Sequence, residues 1–466
     1  MKKENVWLSY SEEQKEELKN VCDLYKKCLD EGKTERECVE VTVKLAKEHG
    51  YQDLADIIKE NKSVKAGDKV YAVNMKKMIA LFQIGTKPIS TGMNILGAHI
   101  DSPRIDVKQN PLYEQDGFAY LDTHYYGGIK KYQWTATPLA IHGTVAKKDG
   151  SVVTVSIGEK EDDPIFVITD LLVHLSQEQM AKKATDVVTG ENLDLLIGNT
   201  PIEKAEDVEK EEKEAIKANV LKLLKEQYGM EEEDFLSAEL EIVPSGKARD
   251  CGFDRSMILA YGQDDRICAF TSLFAMFEEK ATDHTLCCLL VDKEEIGSVG
   301  ATGMQSAFFE NTVAELLAMT EGESPLLLRR ALANSMMLSS DVSAAYDPLY
   351  ASAFEKKNTA FLGKGVTFNK YTGSRGKSGS NDANAEYIAS LRKVMDEAEV
   401  SYQFCELGKV DVGGGGTIAY IMAKYGMNVI DSGVAVLNMH APYEVSSKVD
   451  VYEAVRGYRA FLRWNF

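Results

Sequence analysis

A chain of 466 residues is longer than one hydrophobic core usually fills, so two domains, or one domain carrying a large insertion, are expected; 44% hydrophobic residues support a sizeable core. The formal net charge of -19 at pH 7 opposes non-specific binding to nucleic acid or to an anionic membrane, since both draw on basic patches. No run approaches membrane-spanning length, the start from Met1 to Trp7 lacks the apolar core of a signal peptide, and the eight cysteines include no Cys-x-x-Cys pair, which together point to a cytoplasmic protein with buried free thiols.

Ser11 with Gln14 and Thr34 with Glu37 stand at capping-box spacing and open two predicted amphipathic helices, the first with Leu18, Val21, Leu24, Tyr25 and Cys28 on one face. From Lys69 the period changes to that of strands at Val70–Val73, Met78–Phe82 and Met93–His99. A different texture follows, with alternating β segments such as Leu139–Val145 and Ser151–Val155 and a charged helix from about Glu206 to Tyr228. This gives a β-rich insertion at 105–245 between two parts of one α/β domain, 1–104 and 246–466, with the strands ending at His99 and Tyr261 expected in one sheet. After the insertion come predicted strands at Met257–Tyr261, His284–Val291, Met336–Ser340 and Val429–Met439. They alternate with helices at Arg266–Lys280, up to Asn334, and at Ala383–Ala398, Thr417–Tyr425 and Tyr452–Trp464. The fold class is therefore α/β, a helix-covered mixed sheet with an inserted β-rich domain. Tyr371–Ser380, rich in glycine and serine, reads as a mobile loop.

Five acid or imidazole positions fall at predicted strand ends: His99, Asp264, Glu295, Asp341 and His440. Singly, each has a plain structural explanation, as a helix cap, a turn residue or a packed imidazole. Together, two histidines and three carboxylates suit a pair of zinc ions roughly 3.5 Å apart with one bridging carboxylate. Zinc or cobalt fits this mixed nitrogen and oxygen set better than magnesium, which prefers oxygen alone. Asp101 is placed to accept the other N–H of the His99 imidazole. Glu294 lies beside Glu295, and neighbours on a strand face opposite ways, so one acid is expected on metal and the other on a water.

Gly97-Ala98-His99-Ile100-Asp101-Ser102-Pro103, Asp264-Asp265-Arg266, Glu294-Glu295-Ile296-Gly297-Ser298, Ser340-Asp341 and Met439-His440 occur in the order seen in the aspartyl aminopeptidase family of dinuclear zinc exopeptidases. The resemblance extends to Tyr126-Gly127-Gly128, Gly363-Lys364-Gly365 and Gly413–Thr417, so it covers nearly everything from Val70 onward. It implies a zinc-exopeptidase fold and two divalent metal ions. His99, Asp264 and Asp341 would hold one ion and Asp264, Glu295 and His440 the other, with Asp264 bridging and followed by Asp265 as the family pattern requires. It further implies removal of N-terminal residues from peptides with a free N-terminus by a metal-bridging hydroxide, with Glu294 as general base and Asp101 in support. Lys364, Gly414, Gly415 and Thr417 would meet the substrate, the Asp264–Asp265 peptide bond is a candidate for cis geometry, and relatives assemble as dodecamers, so a homo-oligomer is implied.

Asn369 stands where the family carries the lysine linked to acidic N-terminal residues, and the histidine that relatives extend to a neighbouring subunit aligns near Asp170, with His174 four residues on. Substrate preference is thus left open. Two other functions remain: a dizinc deacylase acting on other amides, and a non-catalytic scaffold or peptide-binding protein, which would have no use for Glu294.

Overall fold

The computed structural model describes residues 5–203, 214–280 and 282–466. Its chain divides by internal contacts into two units: Met1–Ser102 with Ala248–Met439 and Glu444–Phe466, and Pro103–Lys247 with His440–Tyr443.

The first unit is built on a nine-stranded mixed sheet, and the mixed α/β class expected from the alternation of elements is what it shows. Across the sheet the strands run Gln52–Asp53, Lys69–Asn74, Met78–Gln83, Thr285–Val291, Met93–His99, Met336–Ser340, Asn428–Gly433, Val366–Asn369 and Tyr402–Phe404. Thr285–Val291 is parallel to Met93–His99 with Val291 opposite His99, and Met336–Ser340 is parallel to Met93–His99 with Ser339 opposite Gly97. Three strand ends that lead into charged turns therefore lie side by side at one edge.

The continuous apolar run from Thr285 to Val291 follows from burial on both faces. Leu286, Cys288 and Leu290 pack into one core together with the helices Glu12–Glu31, Glu35–Glu48, Gln263–Phe277 and Lys448–Leu462. Cys287, Leu289 and Val291 pack into the other, with Phe308–Thr320, Pro325–Asn334 and Ala419–Ala423. Both predicted capping boxes are present. The buried stripe of the first helix is Leu18, Cys22, Tyr25, Cys28 and Leu29, so Cys22 and Leu29 replace Val21 and the 37% exposed Leu24. All eight cysteines are free thiols.

Several expectations are corrected. Met257–Ala260 does not join the sheet that contains His99; it lies in a separate five-stranded sheet, hydrogen-bonded antiparallel to Arg249–Cys251 and Glu444–Ser447. The predicted strand Val429–Met439 is two strands, Asn428–Gly433 in the large sheet and Ala435–Leu437 in the small one, with the change of sheet at Val434. The helix expected over Thr417–Tyr425 spans only Ala419–Ala423, because the glycines before it give no helical start. Within the expected loop Tyr371–Ser380, residues Ser374–Ser378 form a turn closed by a bridge, which leaves that expectation standing.

The second unit carries a six-stranded sheet ordered Val152–Ile157, Leu139–Ala146, Ala238–Pro244, Arg104–Gln115, Phe118–Tyr126 and Leu195–Gly198, antiparallel throughout. The charged helix covers Ala215–Tyr228, and its expected start near Glu206 lies outside the described residues. Among the described residues no helix is long and apolar enough to cross a membrane.

Candidate metal centre

His99 ends its strand with the ring almost wholly buried. Its Nδ1 lies 2.9 Å from the carbonyl oxygen of Asp101 and 3.2 Å from Asp101 Oδ1, while Nε2 faces Asp264 Oδ1 at 3.3 Å, Glu294 Oε2 at 3.9 Å and Asp341 Oδ1 at 4.0 Å. Nδ1 thus has only oxygen acceptors beside it, which places the ring proton there and leaves Nε2 as the atom directed at the acids. Burial alone would lower the pKa of His99, but its hydrogen bonds to Asp101 and Asp264 hold it well above the ordinary imidazole value.

Asp264 and Asp265 follow the short strand Met257–Ala260, and the peptide bond between them is cis, as expected. The main chain of Asp264 is held at both ends, with its N–H donating to Glu444 Oε2 at 2.9 Å and its carbonyl accepting from Ser102 Oγ at 2.6 Å. Asp265 is fully buried; its Oδ2 accepts from the His99 amide at 3.3 Å, and its Oδ1 has no hydrogen-bond partner among the described residues. Burial pushes Asp265 well above the usual carboxylate range, with the charge of His99 acting against that and the charge of Asp264 adding to it.

The acid pair stands differently from the sequence expectation. The strand stops at Val291, Lys293 adopts φ +69°, and Glu294–Ile296 form a 3-10 turn. Strand alternation therefore does not separate Glu294 from Glu295. Instead, both amides donate to the buried Asp101 carboxylate, Glu294 N to Oδ1 and Glu295 N to Oδ2, each at 3.2 Å. Asp101 thus does more than orient His99: it ties the His99 turn to the turn bearing both glutamates. Asp341 follows the strand Met336–Ser340, its amide donating to Ser432 O at 2.7 Å. Burial raises its pKa well above the usual range, and the charges of Asp265, Glu294 and Asp264 add to this.

Two clusters within the first unit have ligand atoms lying within 4.8 Å of one another: His99 with Asp265 and Asp341, and His99 with Glu294 and Glu295. A buried, unpartnered carboxylate oxygen and acids that raise one another's pKa fit a divalent cation with nitrogen and oxygen ligands. His440 lies in the turn after Ala435–Leu437, at φ +64°, with Nδ1 2.9 Å from the carbonyl oxygen of Gly128. It belongs to the four residues that cluster with the second unit.

Of the expected substrate contacts, Lys364 lies apart, half-buried on the wall of a cavity of about 870 Å³ whose lining includes Lys370, Arg392 and Tyr402 and none of the expected ligands. Its flanking amides, Gly363 N and Gly365 N, donate to Asp450 at 2.7 Å each. Gly414 adopts φ +114°, and a Cβ there would stand 1.9 Å from Gly373 O, so this position admits only glycine. Thr417 Oγ1 donates to Asp431 Oδ1 at 2.5 Å. Asp431, 3% exposed, was missed by sequence reasoning, although a carboxylate inside the apolar run Val429-Ile430-Asp431 was its signal. Burial pushes its pKa up to about 7, with the Thr417 hydroxyl acting against this and the charge of Glu294 adding to it. Asn369 is buried, accepting from Ser343 Oγ at 2.9 Å and from Cys405 Sγ at 3.4 Å. Asp170 and His174 are exposed.

Comparison with known proteins supplies independent findings. Residues 28–462 match the family model described as aminopeptidase I zinc metalloprotease (M18). A probable M18 family aminopeptidase 1 of Clostridium acetobutylicum is 58% identical over 458 residues, covering 98% of this chain and 97% of the relative. The crystal structure of aminopeptidase I from the same organism superposes with a TM-score of 0.91 at 57% identity and 98% coverage of both chains. An M18 aminopeptidase from Thermotoga maritima gives a TM-score of 0.93 at 43% identity and 99% coverage of both. The mApe1 dodecamer of S. cerevisiae, at 19% identity, TM-score 0.75 and 95% and 96% coverage of this chain and that one, bears on the fold alone.

Proposed function

Since this chain belongs to the M18 family and is a zinc metallo-aminopeptidase that removes N-terminal residues, we propose that it works with two divalent ions, zinc by preference and cobalt as an alternative, and with Glu294 as general base. On the family resemblance His99, Asp264 and Asp341 would hold one ion and Asp264, Glu295 and His440 the other, although the residue grouped with His99 and Asp341 by distance is Asp265. When bound, such ions polarise a scissile carbonyl and lower the pKa of a water. Glu294 takes the proton of the attacking water and returns it to the leaving amine. Asp101 fixes the His99 tautomer and the Glu294–Glu295 turn, and the Gly128 carbonyl fixes His440 so that Nε2 is its ligating atom. The observation that carries this assignment is the convergence of Asp264, Glu294 and Asp341 on His99 Nε2.

The substrate is a peptide with a free N-terminus, and acidic first residues are less strongly preferred than in typical members of the family. Asn369, tied to Ser343 and Cys405, supplies no cation where an acidic side chain would call for one. The protein acts in the cytoplasm, which its eight free thiols suit, and as a homo-oligomer, with a dodecamer as the implied form. The exposed apolar run Leu171, Leu172, Val173 and Leu175 supports a contact between copies.

The test is hydrolysis of aminoacyl amides with free and with acetylated N-termini, run alongside metal content in zinc and in cobalt. Turnover of the free form with two ions per chain is the expected result. Turnover of the acetylated form would indicate a deacylase, and metal binding without turnover a scaffold.

A further inference from the structure

Asp431 belongs to neither ligand set and to no proton transfer, yet it is a buried carboxylate on an inner strand of the large sheet, in register with Ser339 and Asn369. Strand alternation puts it on the same face as Val429, which packs with Ile418, Ala419, Ile421 and Met422 at and beyond the end of the glycine stretch. Its Oδ1 accepts the Thr417 hydroxyl at 2.5 Å, and Thr417 Oγ1 in turn accepts from Ala419 N at 3.3 Å. Oδ2 has no hydrogen-bond partner among the described residues. Burying a carboxylate with one oxygen unpaired is costly, so packing alone gives no reason for an acid here.

What Thr417 terminates is Gly413–Gly416, four residues without side chains to hold them. One side of this stretch is sealed. A Cβ at Gly413 would lie 1.8 Å from Leu407 O and one at Gly414 1.9 Å from Gly373 O, and Gly415 O accepts from Gly373 N at 2.6 Å. At Gly416 a Cβ would meet nothing within 4 Å, so the main chain there faces open space. Glycine loses more conformational freedom on ordering than any other residue, so this open segment needs a firm attachment at its end.

We propose that the Thr417–Asp431 hydrogen bond is a latch that presets the glycine stretch, so that the open main chain at Gly416 meets the substrate backbone without first being ordered. Asp431 is then a positioning residue for the aminopeptidase reaction, and this rests on the assignment of the site given above. Without the latch, each binding event carries the ordering cost of the loop, which raises KM and leaves the bond-breaking step intact.

Thr417→Val removes the hydroxyl at nearly constant shape, Thr417→Ser retains it, and Asp431→Ala removes the acceptor. Amide hydrogen exchange across 413–417, metal content, and kcat and KM on a leucyl amide are measured for each. Thr417→Val and Asp431→Ala should speed exchange in the stretch and raise KM by about tenfold, the order expected for one lost hydrogen bond to a charged group. Metal content should be unchanged and kcat should stay within about twofold. Thr417→Ser should behave as wild type, and the double variant should be no worse than either single one. Unchanged exchange with unchanged KM overturns the latch, as does a loss of metal together with kcat, or a failure of serine to rescue. If the wild-type protein itself fails to hydrolyse the amide, the catalytic assignment falls, and the exchange measurement still decides the latch.

Discussion

Replacing Asp101 by Asn probes the joint on which the centre turns. The carboxylate serves two backbone amides, Glu294 N on Oδ1 and Glu295 N on Oδ2, each at 3.2 Å, and Oδ1 also lies 3.2 Å from His99 Nδ1. Asparagine keeps one acceptor and puts an NH2 group where the other stood, so one of the two amides in this buried setting loses its acceptor and faces a donor. A buried donor left without a partner costs about 1–3 kcal/mol. The same change weakens the hold on the His99 tautomer, and loss of such an outer partner typically lowers metal affinity or activity by about 10–100-fold. Asp101→Asn should therefore lose about 1–3 kcal/mol of stability in denaturant melts and lower kcat/KM by about one to two decades. It should also release metal to a chelator at correspondingly lower concentration. Wild-type chelator resistance and rate in a variant that is destabilised as expected would refute the link between Asp101 and the centre, and leave it only a structural role.

Glu294→Gln should keep both ions and lose about 10²–10⁴-fold in rate, because the amide cannot take a proton; loss of an ion, or near-normal rate with both bound, would reverse its assignment. Glu295→Gln should instead lower metal content, with activity recovering in part at excess metal, which paired metal analysis and rates would check. Leucyl and methionyl amides should be hydrolysed at least as well as aspartyl ones, given the uncharged Asn369 cluster; a large aspartyl advantage would require a cation elsewhere at the pocket.

Much of the fold was legible because its signals are local. Strands such as Met93–His99 and Thr285–Val291 are short apolar runs closed by turn residues, and both N-terminal helices announce themselves by caps. Which sheet a strand joins is decided by partners far away in sequence. Met257–Ala260 pairs with Glu444–Ser447 almost two hundred residues later, and nothing in its four apolar positions distinguishes that from pairing beside His99. The site behaved likewise. Residue types and order picked out Asp264, Glu294 and Asp341, which all lie within 4.0 Å of the His99 imidazole. The backbone between Val291 and Glu294 was not legible, because a left-handed Lys293 is set by the turn that follows and not by any preference of lysine.

That left-handed residue changes what the acid pair can do. On a strand, one glutamate would face the imidazole and the other would face away; in a turn pinned through both amides to Asp101, both stay with His99. Asp265 and Asp341 are already pushed up by burial and by neighbouring acids. So many carboxylates around one imidazole oppose folding unless positive charge joins them, and protons or divalent cations are the two ways to supply it. The two differ in where they sit. Protonation would neutralise the acids one by one and would silence Glu294 in the base role proposed for it, whereas cations on the proposed ligands would relieve the repulsion and leave Glu294 ionised. The crowding that makes this cluster costly to fold is thus the same feature that suits it to the proposed metal binding with Glu294 as base.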